Sequence, residues 1–214
     1  MITIVKDVVE RHLSEAEIAA FLTALNIYGL NMGENEALSR AMVETGDTLD
    51  FGEAPILDKH SIGGIPGDKT SLLVVPIVAA AGFTIPKTSS RAVTSPAGTA
   101  DRVETLCPVD LSISEIKGVV EKTNGCLVWG GALDLAPADD LFIQIEYPLG
   151  IDPLLLPSIM SKKKAIGATH IAIDIPTGNA AKIKNMTEAY SLASDFVDLG
   201  MRLDLKIQCA LTFG

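Results

Sequence analysis

Capping residues recur ahead of apolar positions at three- and four-residue spacing through the first fifty residues. Ser14 with Glu17 precedes Ile18, Phe21, Leu22 and Leu25, and Asn31 with Glu34 precedes Leu38, Ala41 and Met42. Each pair is a capping box: the first side chain and the acid three residues later satisfy each other's free backbone N–H. The apolar spacing that follows is one face of a helix. Gly46 stands where a C-cap glycine belongs. After residue 53 the pattern changes. The apolar run from Leu72 to Gly82 predicts a helix over 69–81 ended by that glycine. Short strands are predicted at 83–86 and 126–129. Between them Ser112 and Glu115 open a helix that stops at Asn124-Gly125. Asp152 and Pro153 read as N-cap and first position of a helix over 153–166, closed by Gly167. A strand at 170–175, a turn at Pro176–Gly178, a helix at 187–199 and a strand at 205–211 complete the chain. Helix and strand alternate after residue 53, which predicts an α/β layer with parallel strands behind a separate small α domain.

Composition narrows the partners. With 214 residues, 48% of them hydrophobic, the chain can bury a core as one domain or two small ones. Its formal charge of −10 argues against nucleic acid or an anionic membrane as partner. Cys107, Cys126 and Cys209 are odd in number and far apart, with no CxxC pair. That argues against a zinc site or a disulfide frame, so no metal is expected, and a reducing cytoplasm fits. The opening residues lack the positive-then-apolar pattern of a secretory signal. The apolar run containing Pro76 is too short for a membrane span. A cytoplasmic protein is therefore expected. Residues 205–213 read as a strand near the last residue, which suggests a longer parent chain.

Against this acidic background, two segments concentrate cations, hydroxyls and glycines: DKHSIGGIPGDKTS at 58–71 and KTSSRAVTSPAGTAD at 87–101. Glycines at 63, 64 and 67 let a backbone turn tightly and bring N–H groups against an anion. A helix starting just afterwards aims its positive end at the same place. Lys59 adds a mobile charge, and Ser61 and Ser71 add adaptable hydrogen bonds. His60 lies inside this polar run, whereas His12 and His170 read as structural or surface residues. Ser89, Ser90, Arg91, Thr94, Ser95 and Thr99 are candidates for a second wall around the same anion. The competing reading is a glycine turn and a solvated hydroxyl-rich loop. A nucleotide P-loop is rejected: counting from Gly63, its second glycine falls on Asp68, and an anion in a phosphate cradle repels. Asp152 reads either as a helix cap or as a general acid, which needs a raised pKa to give up a proton near neutrality. Ser158 and Lys162 are four apart and share a helix face.

These two segments, followed by VWGGALDLAPADD and SIMSKKKAIG, closely resemble the thymidine phosphorylase (pyrimidine nucleoside phosphorylase) family over essentially the whole chain. The runs IEYPLGIDP and HIAIDIPTGNAAKI resemble its archaeal AMP phosphorylase branch. The resemblance implies a small all-α domain plus a larger α/β domain of the class II nucleoside phosphorylase/phosphoribosyltransferase type, with a cleft between them. Residues 1–50 and 136–166 would form the helical dimerisation domain, and 51–135 and 167–214 the phosphate- and nucleotide-binding α/β domain. That α/β domain would be truncated at the C-terminus, so a central fragment of a homodimer or higher homo-oligomer is expected.

The implied reaction is reversible phosphorolysis of a nucleoside 5′-monophosphate such as AMP to free base and ribose 1,5-bisphosphate. Inorganic phosphate would be a co-substrate, and no cofactor is implied. By resemblance, Lys59, Ser61, Ser71, Ser89 and Thr99 contact phosphate. Gly64, Ser90, Arg91, Ala92, Val93, Thr94, Ser95, Thr99, Ser158 and Lys182 would bind nucleotide, with Lys162 beside Ser158. Asp152 would donate a proton to the base, and His60 would lie by the sugar and base. Thymidine phosphorylases place an arginine on the pyrimidine where this chain has Glu146, which weakens thymidine as substrate. The stretch from Asp152 to Ser158 is also shorter than in the branch pattern. The alternatives are a thymidine or pyrimidine nucleoside phosphorylase, an anthranilate-type phosphoribosyltransferase using acidic residues near the glycine loop for Mg²⁺-pyrophosphate, and a non-catalytic phosphate-binding fragment.

Overall fold

The structure, a computed structural model, describes residues 1–52, 55–63, 69–91 and 97–214. Three helices open the chain: α1 (Ile2–Val9), α2 (Glu15–Tyr28) and α3 (Met32–Glu44). Then come β1 (Leu57–Ser61), α4 (Thr70–Ala80), β2 (Ile85–Ser89), α5 (Thr99–Glu104), α6 (Ile113–Thr123) and β3 (Gly125–Trp129). The last elements are α7 (Pro137–Leu149), α8 (Leu155–Ala165), β4 (His170–Thr177), α9 (Met186–Arg202) and β5 (Lys206–Phe213).

Local chemistry accounts for many of the boundaries. All three capping boxes form, at Ser14/Glu17, Asn31/Glu34 and Ser112/Glu115. Asn124 ends α6 in the left-handed conformation, with φ of 62°, a region in which asparagine is among the few tolerated side chains. Gly82 and Gly167 follow α4 and α8 with φ of +86° and +80°. Gly46 is needed for a different reason from the one its position suggests. Thr45 caps α3, and a Cβ on Gly46 would lie 2.4 Å from the Leu135 carbonyl oxygen.

Asp152 is not a helix cap. α8 begins three residues later, at Leu155, with no side-chain cap. The Asp152 carboxylate is instead ion-paired with Lys182, while the Glu146 carboxyl accepts the Leu154 N–H. Three further elements depart from the pattern reading. The polar segment DKHS is itself strand β1. The predicted strand at 83–86 lies instead at Ile85–Ser89. Helix α7 runs through a stretch that showed no helical cap.

β1, β4 and β5 form one parallel sheet in the order β1–β4–β5, and β2 pairs parallel with β3. A parallel bridge between Ile56 and Thr84, with the Leu57 N–H donating to the Thr84 carbonyl at 2.8 Å, sets β1 beside β2. The crossovers are long and mostly helical, as parallel pairing requires. Two cores result. Val8, Leu22, Leu38 and Met42 pack with Ala138, Phe142 and Leu154, so α7 closes onto the opening helices. The larger core gathers Ile171, Ile173 and Ile175 of β4 with Ile116, Phe196 and Leu199 of the flanking helices. α8 sends Ile159, Met160 and Ile166 into this larger core while also packing against α3. Among the described residues no helix is long and apolar enough to cross a membrane.

Candidate active site

Parallel pairing delivers the C-terminal ends of the strands to one edge, the usual ligand-binding edge of an open α/β sheet. Ser61 ends β1 in register with Asp174 on β4. The Ser61 hydroxyl donates to Asp174 Oδ2 at 2.9 Å, and the Thr212 hydroxyl donates to Oδ1 at 2.7 Å. Lys59 Nζ lies 3.9 Å from the same Oδ2. Strand alternation puts Lys59 and Ser61 on one face and Asp58 and His60 on the other. Ser89 and Ser90 leave the end of β2 at the same edge, although the Ser89 hydroxyl donates to the Val128 carbonyl at 3.3 Å.

Buried lysines gather around β1. Asp58 is buried and ion-paired with buried Lys163 at 2.7 Å, and it also accepts the Lys59 N–H at 2.6 Å. Lys87 on β2 is buried, and its ammonium donates to the Thr88 carbonyl. Burial, then the charge of Lys163, pushes the Lys87 ammonium well below the ordinary lysine range, with Asp58 opposing. Burial also pushes His60 well below the usual imidazole range, and Lys163, Lys87, Lys59 and Lys162 act in the same direction. His60 is therefore a neutral imidazole at pH 7. It can donate from one ring nitrogen and accept at the other, but it brings no cationic proton. An ammonium pressed to give up its proton, as that of Lys87 is, is relieved by an incoming anion.

A second cluster joins α7 to α8. The fully buried Asp139 carboxylate is ion-paired with Lys162, and the Ser158 hydroxyl donates to the same Oδ2 at 3.0 Å. Burial works to lower the Lys162 pKa, but the charge and hydrogen bond of Asp139 outweigh it and hold the ammonium above its ordinary range. Asp140 is pushed up to about 6 by burial, against the opposing charge of Lys162. Thus Ser158 and Lys162, four apart on one helix face, are fixed by a single carboxylate. Asp152 and Lys182 pair with each other in a more exposed setting.

The remaining candidates scatter. Arg91 grips Glu104 through two hydrogen bonds of 2.6 and 2.8 Å, donates to Asp101 at 3.1 Å and stacks on Trp129 at 4.7 Å. Its charge is thereby matched by acids of its own chain. Thr99 opens α5 beside the β2 end, where the Ala100 N–H donates to the Ser90 carbonyl at 3.2 Å. Gly98 must be glycine there, since a Cβ would come within 2.4 Å of the Ser90 oxygen. Ser71 is buried in the first turn of α4, whose N-terminus has no side-chain cap. Gly64, Ala92, Val93, Thr94 and Ser95 lie outside the described residues, as does Asp68.

Several structuring residues escaped sequence reasoning. Asp58 and Lys87 sit inside the two cation- and glycine-rich segments, and Asp139 and Asp174 inside the runs APADD and AIDIP. Their types were visible, but their partners are distant in sequence. Nothing in the run Lys162-Lys163-Lys164 reveals that the first reaches α7 and the second reaches β1.

Comparison with known proteins matches this architecture. Residues 53–201 match the model of the glycosyl transferase family a/b domain, and residues 1–46 match its helical bundle domain. The AMP phosphorylase of Pyrococcus furiosus is 60% identical over 214 residues, covering 99% of this chain and 42% of that protein. That of Thermofilum pendens is 57% identical over 98% of this chain and 41% of its own length. The chain thus spans about two fifths of the curated relatives it matches. Anthranilate phosphoribosyltransferase from Thermus thermophilus superposes with a TM-score of 0.80 at 20% identity, over 98% of this chain and 60% of that one. The Saccharomyces cerevisiae enzyme of the same name, in complex with PRPP and Mg, gives 0.70 at 16% identity over 92% of this chain and 52% of its own. The fold is therefore that of the anthranilate phosphoribosyltransferases, and by its matched domains the chain belongs to the glycosyl transferase family that joins a helical bundle domain to an α/β domain.

Proposed function

We propose that this chain forms the substrate-binding core of a nucleotide phosphorylase, catalysing reversible phosphorolysis of nucleoside 5′-monophosphates such as AMP to free base and ribose 1,5-bisphosphate. The observation that carries this reading is the end of β1. There Lys59 and Ser61 share one face against Asp174, and buried Lys87 on the neighbouring strand is an ammonium that an oxyanion would relieve. High identity to proteins named AMP phosphorylase supports the same substrate class.

In this reading inorganic phosphate docks at Lys59, Ser61, Ser71, Ser89 and Thr99, as a co-substrate rather than a cofactor. One of its oxygens forms a bond to the anomeric carbon. The bond from that carbon to the base nitrogen breaks, and its electron pair stays on the base. Asp152 supplies the proton that makes the base a better leaving group once the nucleotide has drawn Lys182 off its carboxylate, a contribution of ~10²–10⁴-fold for a well-placed acid. Holding phosphate against the sugar converts a chance encounter into an oriented one, and its negative charge stabilises the cationic sugar in the transition state. Neutral His60 hydrogen-bonds to the sugar or base. Ser158, Lys162, Lys182 and the 90–95 segment with Thr99 hold the nucleotide. The helical unit, residues 1–50 and 136–166, mediates homodimer formation.

The test is base release from AMP, CMP, UMP and thymidine, each with and without phosphate, measured on this chain and on its longer relative. Phosphate-dependent release from AMP is expected. Release from thymidine alone would move the protein to the nucleoside branch. No release by a folded protein would leave binding without turnover.

A further inference from the structure

One buried carboxylate joins the strand assigned to phosphate with the helix assigned to the nucleotide. β1 and β2 belong to separate sheets, bridged at Ile56 and Thr84, where the Leu57 N–H donates to the Thr84 carbonyl at 2.8 Å. Alternate residues of a strand turn their backbone groups to the same side, so the Lys59 N–H comes next on that edge. It donates to Asp58 Oδ1 at 2.6 Å.

The other oxygen of the same carboxylate reaches α8. Asp58 Oδ2 pairs with Lys163 Nζ at 2.7 Å, and both side chains are almost wholly buried. Lys162, the preceding residue of α8, and Ser158, one turn earlier, are held by Asp139 of α7. The Asp58 carboxylate is therefore a two-ended bridge. One end fixes the backbone of Lys59, and the other fixes the helix that carries Ser158 and Lys162. An apolar pair would hold helix to strand about as well, because a buried ion pair adds little net stability over good packing. It would not also take the Lys59 N–H. What sets this pair apart is placement rather than stability.

Resting on the phosphorylase reading, we infer that Asp58 and Lys163 are positioning residues that align the phosphate strand with the nucleotide helix, so that filling either site orders the other. Neither residue is asked to touch a substrate. Attack needs the reacting atoms held about 3–3.5 Å apart, and a misplacement of about 1 Å costs about 10²-fold. Lys59 and Ser61 belong to β1, and Ser158 and Lys162 to α8, so their separation is set by whatever joins these two elements. A ligand that steadies β1 meets part of the ordering cost for a ligand on α8, which is positive coupling. The coupling is reciprocal between the two ligands.

The test is calorimetric titration of inorganic phosphate into this chain, with and without saturating carbocyclic AMP, in which a methylene replaces the ring oxygen so that no cationic sugar forms. Wild type is expected to bind phosphate roughly tenfold more tightly when the analogue is present, within the usual range of coupling between sites. The double variant Asp58→Asn with Lys163→Met removes both charges and the link. It is expected to bind each ligand alone within a few-fold of wild type, with the ratio falling to about one. Lys163→Arg restores a cation to Asp58 and keeps most of the ratio. Asp58→Asn alone keeps an acceptor for the Lys59 N–H but weakens the link to Lys163, and it lowers the ratio, so the inference does not hang on the double variant. If the pair only holds the fold together, the variants melt earlier but keep the wild-type ratio, and the inference falls. A wild-type ratio of one overturns it without any variant. A wild type that binds neither phosphate nor the analogue overturns the phosphorylase reading itself, a result distinct from both.

Discussion

Glu146 and Lys87 are both buried, and in each case burial favours the uncharged form. For Glu146 the consequence for stability has a definite sign. Its folded pKa of about 8 lies above the ordinary value of 4.5. Between those values the folded state binds more protons than the unfolded chain. Stability therefore falls as pH rises through that window and levels off above it. Glu146→Gln removes this dependence. The variant should match wild type near pH 4.5 and exceed it at pH 9, by on the order of a few kcal/mol. Chemical denaturation at the two pH values measures this, and parallel curves would mean that the carboxyl is solvated. His60 makes a related point: burial first, and then the lysines around it, push the ring toward its neutral form.

At the scale of elements, α8 ties the molecule together through consecutive lysines that point different ways. Residues adjacent on a helix do not share a face, so Lys162 reaches Asp139 on α7 while Lys163 reaches Asp58 on β1. Lys163→Ala would leave Asp58 charged and buried without its partner, at a cost of ~3–5 kcal/mol. Replacing both partners, as Asp58→Asn with Lys163→Met, should cost much less, because no isolated charge remains. Urea unfolding of the single and double variants decides the matter. Equal losses would mean that packing, rather than the ion pair, joins α8 to the sheet. The α7–α8 pair also explains how Ser158 and Lys162 come to be fixed without any cap at the start of α8: Asp139 holds both side chains from the neighbouring helix.

The whole molecule carries a charge of −10 yet encloses Lys59, Lys87 and Lys163 around β1. Ligand binding at such a site must appear as stabilisation of the fold, by RT ln(1 + [L]/Kd), or ~2.7 kcal/mol at a hundredfold excess over Kd. Inorganic phosphate should therefore raise the melting temperature of the wild type. Lys59→Ala should melt close to wild type without phosphate and lose most of the phosphate-dependent rise. A full rise in that variant would remove Lys59 from the phosphate site.

Much of this molecule is legible from its residues one stretch at a time. The capping boxes at Ser14, Asn31 and Ser112 mark helix starts because the groups they satisfy lie within three residues. The alternation of helix and strand announces parallel pairing because parallel strands need long crossovers. The motif residues around 59–61 and 89–99 are recognisable by type. What the chain could not disclose locally is which distant group each polar side chain meets. Asp152 has the chemistry of a cap, but Lys182, thirty residues on, takes its carboxylate. Gly46 has the position of a helix stop, but the approach of the Leu135 backbone is what requires it. The charge states of His60, Lys87 and Glu146 likewise depend on burial and on neighbours brought in from other elements. Capping and periodicity act over a few residues of backbone and are written in the sequence. Ion pairing and desolvation act through space, so only the tertiary structure decided them.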